Sequence, residues 1–170
     1  ADNLAAALKQ FPDTDVLLGN GAGSFGHHSA HEYGLKNGAK TTEQFYGVAA
    51  THNDVRELNL SVGNALTARG VAAYCLSPGD IFTADTGQIM CANNMVTKEL
   101  LTRKCVPLVH GDTVVDTSRG VTIFSTEKSL FWLAQGLRDY YERITIAMIV
   151  NTGGVLDRDG QIIERLQNDT

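Results

Sequence analysis

The stretch DVLLGNGAGSFGH, residues 15–27, decides the fold. Residues 15–18 predict a short buried strand, residues 19–26 form a glycine-rich turn, and we expect a helix to start at His27. A strand, glycine loop and helix in this order direct backbone N–H groups toward an anion. The same glycines could instead serve only the packing of a strand-to-helix turn. The stretch favours an α/β fold with an anion site at the turn.

A long helix is predicted over residues 41–69. Thr41 and Gln44 have the spacing of a capping box at its start, and Gly70 ends it. Residues recurring every three or four positions predict its inner face. These residues are Phe45, Val48, His52, Val55, Leu58, Val62 and Leu66.

The rest of the chain alternates between predicted strands and helices. Strands are expected over 71–76, 106–109 and 144–150, hairpins over 114–124 and 155–163, and helices over 3–10, 94–103 and 125–137. This alternation predicts a single α/β domain, residues 1–170, with a mainly parallel sheet sandwiched between helices. Ligands of such sheets bind beyond the carboxyl ends of the strands, where the loops 19–27, 110–112 and 151–154 are expected.

Composition excludes several classes of protein. The chain has 170 residues, 43% of them hydrophobic and 19% charged, which is typical of a globular domain. A net charge of −5 without a basic run argues against a nucleic-acid partner. No apolar stretch is long enough to span a membrane, and the first residues do not resemble a signal peptide. We therefore expect a cytoplasmic protein whose three cysteines stay reduced.

Several motifs resemble those of isopentenyl phosphate kinases, which belong to the amino-acid-kinase superfamily. The loop from Asn20 to His27 is similar to the family's glycine-rich loop, which ends in Ser/Ala-Phe-Gly-His. Residues 106–112 (VPLVHGD) resemble its Val-Pro-Val-Leu/Ile-His-Gly-Asp segment. Residues 123–127 (IFSTE) and 151–156 (NTGGVL) stand where many members have Ile-Ile/Leu-Ser-Gly-Asp and Thr-Asp-Val-Asp-Gly-Val. The matches follow the family's order over nearly the whole chain.

The resemblance implies ATP-dependent phosphorylation of isopentenyl phosphate to isopentenyl diphosphate, with Mg²⁺ accompanying ATP and a homodimeric assembly. Its implied catalytic residue is His27, which would hydrogen-bond the acceptor's phosphate. The implied substrate-binding residues are Gly21, Ala22, Gly26, His27, Phe45, Val48, His52, Ser125 and Thr126, with the long helix as the wall of the isoprenoid tail. The implied nucleotide-binding residues are Ala22, Gly23, Glu127, Asn151 and Gly153. No metal ligand is implied.

Departures from the family pattern leave alternatives open. The family's early Lys and Gly-Gly-Ser turn and its later lysine have no counterpart in the chain, and Gly153 replaces an Asp. We therefore expect a fragment lacking N- and C-terminal parts, with an acceptor site, about half of a nucleotide site and no activity of its own. The alternatives are a fosfomycin-type kinase, a noncatalytic binding or storage protein, and a metal-dependent hydrolase using the histidines of 27–31. His110 is expected to hydrogen-bond neighbouring backbone.

Overall fold

The computed structural model describes residues 1–150 and 153–164. Its helices are α1 (Asp2–Leu8), α2 (Gly23–Glu32), α3 (Thr42–Thr67), α4 (Pro78–Ile81), α5 (Asn94–Thr102) and α6 (Thr126–Leu137). Its strands are β1 (Leu18–Asn20), β2 (Ala73–Cys75), β3 (Phe82–Asp85), β4 (Gln88–Ala92), β5 (Val106–His110), β6 (Asp112–Asp116) and β7 (Gly120–Phe124). Short 3₁₀ turns lie at Leu35–Asn37 and Arg138–Tyr140.

The strands form two sheets. The first has the order β1-β5-β2 and is parallel throughout, with Asn20 at the end of β1 opposite His110 at the end of β5. The second has the order β4-β3-β6-β7, in which β3 pairs with β4 and β6 with β7 in antiparallel hairpins. The predicted α/β class with a parallel sheet between helices is confirmed. The β6–β7 hairpin was predicted, whereas the β3–β4 hairpin was not.

Neighbouring residues of β5 serve opposite faces of the parallel sheet. Leu108 belongs to an apolar cluster with Leu66 of α3 and Val71, whereas Val109 belongs to another cluster with Leu133 of α6. Side chains alternate between the two faces of a strand, so a central strand covered by helices on both sides is apolar without interruption. This packing explains why residues 106–109 were recognisable from sequence.

The beginning of α2 differs from the prediction. The helix starts at Gly23 rather than at His27, and β1 covers Leu18–Asn20 rather than residues 15–18. Glycine is a poor helix former, which is why sequence patterns placed the helix start later. The first helical residue, Gly23, has a φ of 52°, a backbone conformation that glycine adopts without steric cost.

The capping box of α3 is confirmed, but the inner face of the helix is partly different. The Thr41 side chain accepts a hydrogen bond from the Gln44 backbone, and the Gln44 side chain accepts one from the Thr41 backbone. Phe45, predicted to face inward, is 48% exposed. Two of the inner positions are glycines, Gly47 and Gly63, which allow close approach of Tyr33 and Cys75 to the helix. The buried residues are Gly47, Thr51, Val55, Asn59, Gly63 and Leu66.

The predicted strand over residues 144–150 is wrong. The segment has no regular secondary structure and pairs with no strand in the described part of the chain, and Ile149 is 92% exposed. High β propensity does not make a strand where no neighbouring strand satisfies the backbone N–H and C=O groups. The hairpin predicted over 155–163 is present as a single bridge between Leu156 and Ile162 around a turn at Gly160.

Candidate functional site

The turn between β1 and α2 presents backbone N–H groups. Ala22 is the N-cap residue of α2, and no side chain caps the helix. The first amides of a helix have no intrahelical acceptor, and the helix dipole favours an anion at this end. The space around the Cα atoms of Gly21 and Gly23 is open, since a methyl group at either would meet no atom within 4 Å. The turn can therefore accept a phosphate group.

The other two glycines of the stretch serve packing. A Cβ atom on Gly19 would lie 2.5 Å from Cγ2 of Thr126, and one on Gly26 would lie 2.7 Å from Cγ1 of Val55. Gly19 therefore lets β1 lie close to α6, and Gly26 lets α2 lie close to α3. The packing interpretation of the glycine-rich stretch is confirmed at Gly19 and Gly26, whereas anion binding at Gly21 and Gly23 stays a prediction. Whether the Gly26 amide also contacts a ligand stays a prediction.

Two buried side chains hold Asn20, the last residue of β1. The Asn59 side-chain amide donates to Oδ1 of Asn20 at 2.8 Å and to the Leu108 carbonyl at 3.3 Å. From the opposite face of the sheet, the Thr126 hydroxyl donates to the Asn20 carbonyl at 2.8 Å. Sequence reasoning included Thr126 but missed Asn59. A polar residue on the apolar face of a predicted helix was the signal available for finding it.

His27 lies in the second turn of α2 and is exposed. Residues four apart lie on the same face of a helix, and helical side chains lean toward the N-terminus. This spacing puts His27 on the same face of α2 as Gly23, the residue next to the open turn. Across residues 1–150 and 153–164, no cluster of three or more His, Cys, Asp and Glu side chains could hold a metal ion. His28 instead lies 3.9 Å from Glu32 on the helix surface.

The start of α6 closes the opposite side of the site. Ser125 is its N-cap residue, and the Ser125 hydroxyl accepts a hydrogen bond from the Lys128 backbone at 3.3 Å. Glu127 is exposed in the first turn. Because Thr126 contacts Asn20, the N-termini of α2 and α6 approach the same strand end. Residues 19–23 and 125–127 are thus brought together, as the sequence predicted.

A buried carboxylate lies beneath the N-terminal half of α3. Asp112 is 0% exposed and accepts hydrogen bonds from His52 Nδ1 (2.9 Å), the Gly79 backbone (2.9 Å) and the Thr113 backbone (2.7 Å). The hydrogen bond to Asp112 raises the pKa of His52. Asp112 had no predicted role, although it stands in the quoted His-Gly-Asp segment. His52 therefore has a structural partner in addition to its predicted place in the acceptor pocket.

His110 is fully buried, and neither of its ring nitrogens has a hydrogen-bond partner among the described residues. The prediction that it bonds neighbouring backbone is wrong, because the ring points between α3 and the sheet, with Nε2 3.7 Å from Oδ2 of Asp112. Burial lowers the pKa of His110, since the charged imidazolium would lose its hydration. His110 and Asn20 lie side by side at the ends of β5 and β1.

The remaining predicted site residues lie further out. Val48 is half-buried, and Phe45 approaches Gly120, where the Cβ position is 3.0 Å from Cζ of Phe45. Gly153 lies in a bend before the C-terminal hairpin and approaches Ile162. Asn151 lies outside the described residues. The structure thus groups the residues of the glycine turn and of the start of α6, which include Ala22, Gly23 and Glu127 of the predicted nucleotide set.

Comparison with known proteins identifies relatives of the chain. The family model for the amino acid kinase family matches residues 1–170. Isopentenyl phosphate kinase of Methanothermobacter thermautotrophicus is 32% identical over 122 residues, covering 69% of this chain and 46% of the relative. Isopentenyl phosphate kinase of Arabidopsis thaliana is 30% identical over 141 residues, covering 82% and 41%. The chain thus spans about half the length of the curated relatives it matches.

A solved structure shares the architecture. An X-ray structure of isopentenyl phosphate kinase superposes with a TM-score of 0.70 at 30% identity, covering 84% of this chain and 60% of the other. The resemblance stated from the sequence motifs is confirmed by these matches. In the described part of the chain, no helix combines the length and the apolar character that crossing a membrane requires.

Proposed function

The chain belongs to the amino acid kinase family, and from this premise we propose that it forms the acceptor-binding part of an ATP-dependent isopentenyl phosphate kinase. The names of its relatives support this acceptor. The observation that carries the proposal is the uncapped N-terminus of α2, which follows directly on a strand end held by Asn59 and Thr126. A phosphate monoester fits this turn because amides and a helix dipole converge there.

The residues of the turn would divide the work of phosphoryl transfer. The amides of Gly21, Ala22 and Gly23 would bind the acceptor's phosphate, and His27 would donate a hydrogen bond to it from above the turn. Ser125, Thr126 and Glu127 would line the far side of the phosphate channel. Phosphoryl transfer requires mainly positioning and neutralisation of charge, and these groups provide both.

The nucleotide and the metal are part of the proposal. ATP would be the phosphate donor, with Ala22, Gly23, Glu127, Asn151 and Gly153 as candidate contacts. The described residues supply no cluster of metal ligands. Mg²⁺ would therefore arrive with the ATP phosphates, which are its usual ligands in kinases, and no protein residue is assigned to it. We also propose a cytoplasmic, homodimeric protein of one domain.

The isoprenoid tail is proposed to lie against the outward face of α3. Phe45 is 48% exposed, which leaves its ring accessible to an apolar ligand. Val48, one turn further along, is half-buried. The buried face of α3 is excluded as the wall of this pocket, because it is covered by the sheet: Asn59 donates to the Leu108 carbonyl, and Leu66 packs with Leu108 in an apolar cluster.

Calorimetric titration of this chain tests the acceptor site. Isopentenyl phosphate should bind, whereas isopentenol, which lacks the phosphate, should not, and fosfomycin should bind more weakly. His27→Ala should weaken binding of isopentenyl phosphate by about 10- to 150-fold, since a hydrogen bond to a charged group contributes about 1.5–3 kcal/mol. The matched control is His28→Ala, which changes a neighbouring histidine whose side chain is 87% exposed and should leave affinity unchanged.

Equal affinity for isopentenyl phosphate and isopentenol would refute the phosphate site. Preference for fosfomycin would replace the proposed acceptor. Formation of isopentenyl diphosphate from ATP, followed by ³¹P NMR with the chain at micromolar concentration, tests the catalytic step itself. A variant His27→Ala with wild-type affinity and turnover would remove His27 from the mechanism.

A further inference from the structure

Asn59 occupies a place on α3 that favours an apolar residue. It is 2% exposed and lies on the same buried face as Val55 and Leu66. Asparagine has a low helix propensity, and burial of its amide costs free energy unless the amide is hydrogen-bonded. Leucine at this position would have a higher helix propensity and would bury no polar group. The side chain therefore has to be explained by its partners.

The partners of Asn59 belong to two neighbouring strands of the parallel sheet. Its Nδ2 group has two hydrogens, and they are directed at Oδ1 of Asn20 and at the carbonyl of Leu108. Asn20 ends β1 and Leu108 lies two residues before the end of β5. One side chain thus ties α3 to the two strands that border the turn, and no other hydrogen bond between α3 and β1 has this role in the described residues.

The Asn20 side chain connects Asn59 to the turn through a second hydrogen bond. With Oδ1 held by Asn59, its Nδ2 group donates to the carbonyl of Gly21 in a long hydrogen bond of 3.4 Å. In a trans peptide the C=O and N–H groups point in opposite directions, so fixing the Gly21 carbonyl turns the Ala22 N–H away from Asn20. The Thr126 hydroxyl fixes the preceding carbonyl, that of Asn20 itself.

We propose that Asn59 is a positioning residue for the phosphate-binding turn. Acting through Asn20, it orients the peptide between Gly21 and Ala22 so that its N–H faces the phosphate of the acceptor. The inference rests on the proposed function, because the ligand that this turn receives is the phosphorylated acceptor. Asn59 itself is too deeply buried to touch that ligand.

A double-mutant cycle on ligand affinity tests the proposal. Asn20→Ala and Asn59→Ala should each raise the Kd for isopentenyl phosphate by about two- to tenfold, the equivalent of one hydrogen bond. The double variant should bind no more weakly than the weaker single variant, because both changes break one connection. The matched control is Thr51→Val on the same buried face, because the Thr51 hydroxyl has no hydrogen-bond partner within residues 1–150 and 153–164. The affinity of this variant should equal that of the wild type.

The Asn20→Ala variant keeps the test decisive if Asn59→Ala folds poorly, because Asn20 is less buried and its loss leaves the bond from Asn59 to Leu108 intact. The amide signals of Gly21 and Ala22 in ¹⁵N spectra give a second measurement. In both variants these signals should shift in the free protein, and titrated isopentenyl phosphate should displace them less than in the wild type. A role in stability alone would lower the melting temperature without changing affinity.

Two results overturn the inference and leave the proposed function intact. The first is wild-type affinity in Asn20→Ala and Asn59→Ala while His27→Ala binds weakly. The second is fully additive losses, which would mean that the two asparagines act separately. If the wild-type chain binds neither isopentenyl phosphate nor inorganic phosphate, the proposed function itself is refuted. This outcome differs from the two results above, in which the wild-type chain binds isopentenyl phosphate.

Discussion

Replacing Asp112 by alanine should destabilise the protein more than any change at an exposed carboxylate. Its side chain is completely buried and accepts hydrogen bonds from α3, from α4 and from its own strand. In Asp112→Ala, His52 Nδ1 and the Gly79 and Thr113 amides would lose their acceptor together. The substitution removes the hydrogen bonds that connect α3, α4 and β6, as well as a charge.

The size of the loss follows from these contacts. A buried donor left without an acceptor costs about 1–3 kcal/mol, and removing one partner of a buried ionic pair costs about 3–5 kcal/mol. The contributions overlap, because water entering the vacated space would serve some of the donors. We expect a loss of about 3–5 kcal/mol in the free energy of unfolding, a large part of the usual 5–15 kcal/mol of a domain. Asp112→Asn keeps an acceptor oxygen and should lose less.

Urea denaturation followed by far-UV circular dichroism measures the loss. With a slope of about 2 kcal/mol per molar urea, the midpoint of Asp112→Ala should fall by about 2 M. The matched control is Asp13→Ala, which removes a carboxylate from an exposed loop and should keep the wild-type midpoint. A midpoint of Asp112→Ala within 0.5 M of the wild type, which corresponds to roughly 1 kcal/mol, would refute the expected loss. Equal destabilisation of Asp13→Ala would show that the buried hydrogen bonds of Asp112 are not its cause.

Three further outcomes are expected. Burial opposes ionisation of Asp116, but backbone N–H donors from two turns lower its pKa. The stability that Asp116 contributes is therefore complete above about pH 3.9 and is lost as pH falls through its lower pKa in the folded protein. Asp116→Asn should consequently lose stability less steeply than the wild type in an acid titration. The raised pKa of His52 has the opposite effect. The stability that His52 contributes is complete below about pH 6.5 and is lost as pH rises through the pKa of His52 in the folded protein. His52→Gln should therefore flatten the decline in urea midpoint above neutral pH. Gly26→Ala should cost about 1–3 kcal/mol, because its methyl group would meet Val55, whereas Gly21→Ala, in open space, should melt at the wild-type temperature.

Sequence patterns predicted the elements whose signals are local. Thr41 and Gln44 marked the start of α3, Ser125 marked the start of α6, and the apolar run of β5 marked a central strand. Each signal depends on residues only a few positions apart. The resemblance to isopentenyl phosphate kinases also placed Ser125, Thr126 and Glu127 in one site with the glycine turn, and the structure brings them together.

The misses depend on partners distant in sequence. Asn59 has meaning only because Asn20 lies 39 positions earlier, and Asp112 only because His52 lies 60 positions earlier. The start of α2 at Gly23 could not be predicted, since tertiary packing and not propensity holds a glycine in a first helical turn. The strand expected over 144–150 failed for the converse reason: its β propensity is high, but the described residues offer no partner strand.

Two residues on the inner face of α3 have different roles. Toward its C-terminal end, Leu66 packs with Val71 and Leu108 in an apolar cluster. Two turns before Leu66, Asn59 lies on the same buried face and donates to Asn20, at the strand end where the ligand is proposed to bind. Apolar packing is non-directional, whereas hydrogen bonds fix orientation. On this face Leu66 can therefore anchor the fold, and Asn59 can orient the phosphate turn. A change at Asn59 should alter affinity, whereas a change at Leu66 should alter stability alone.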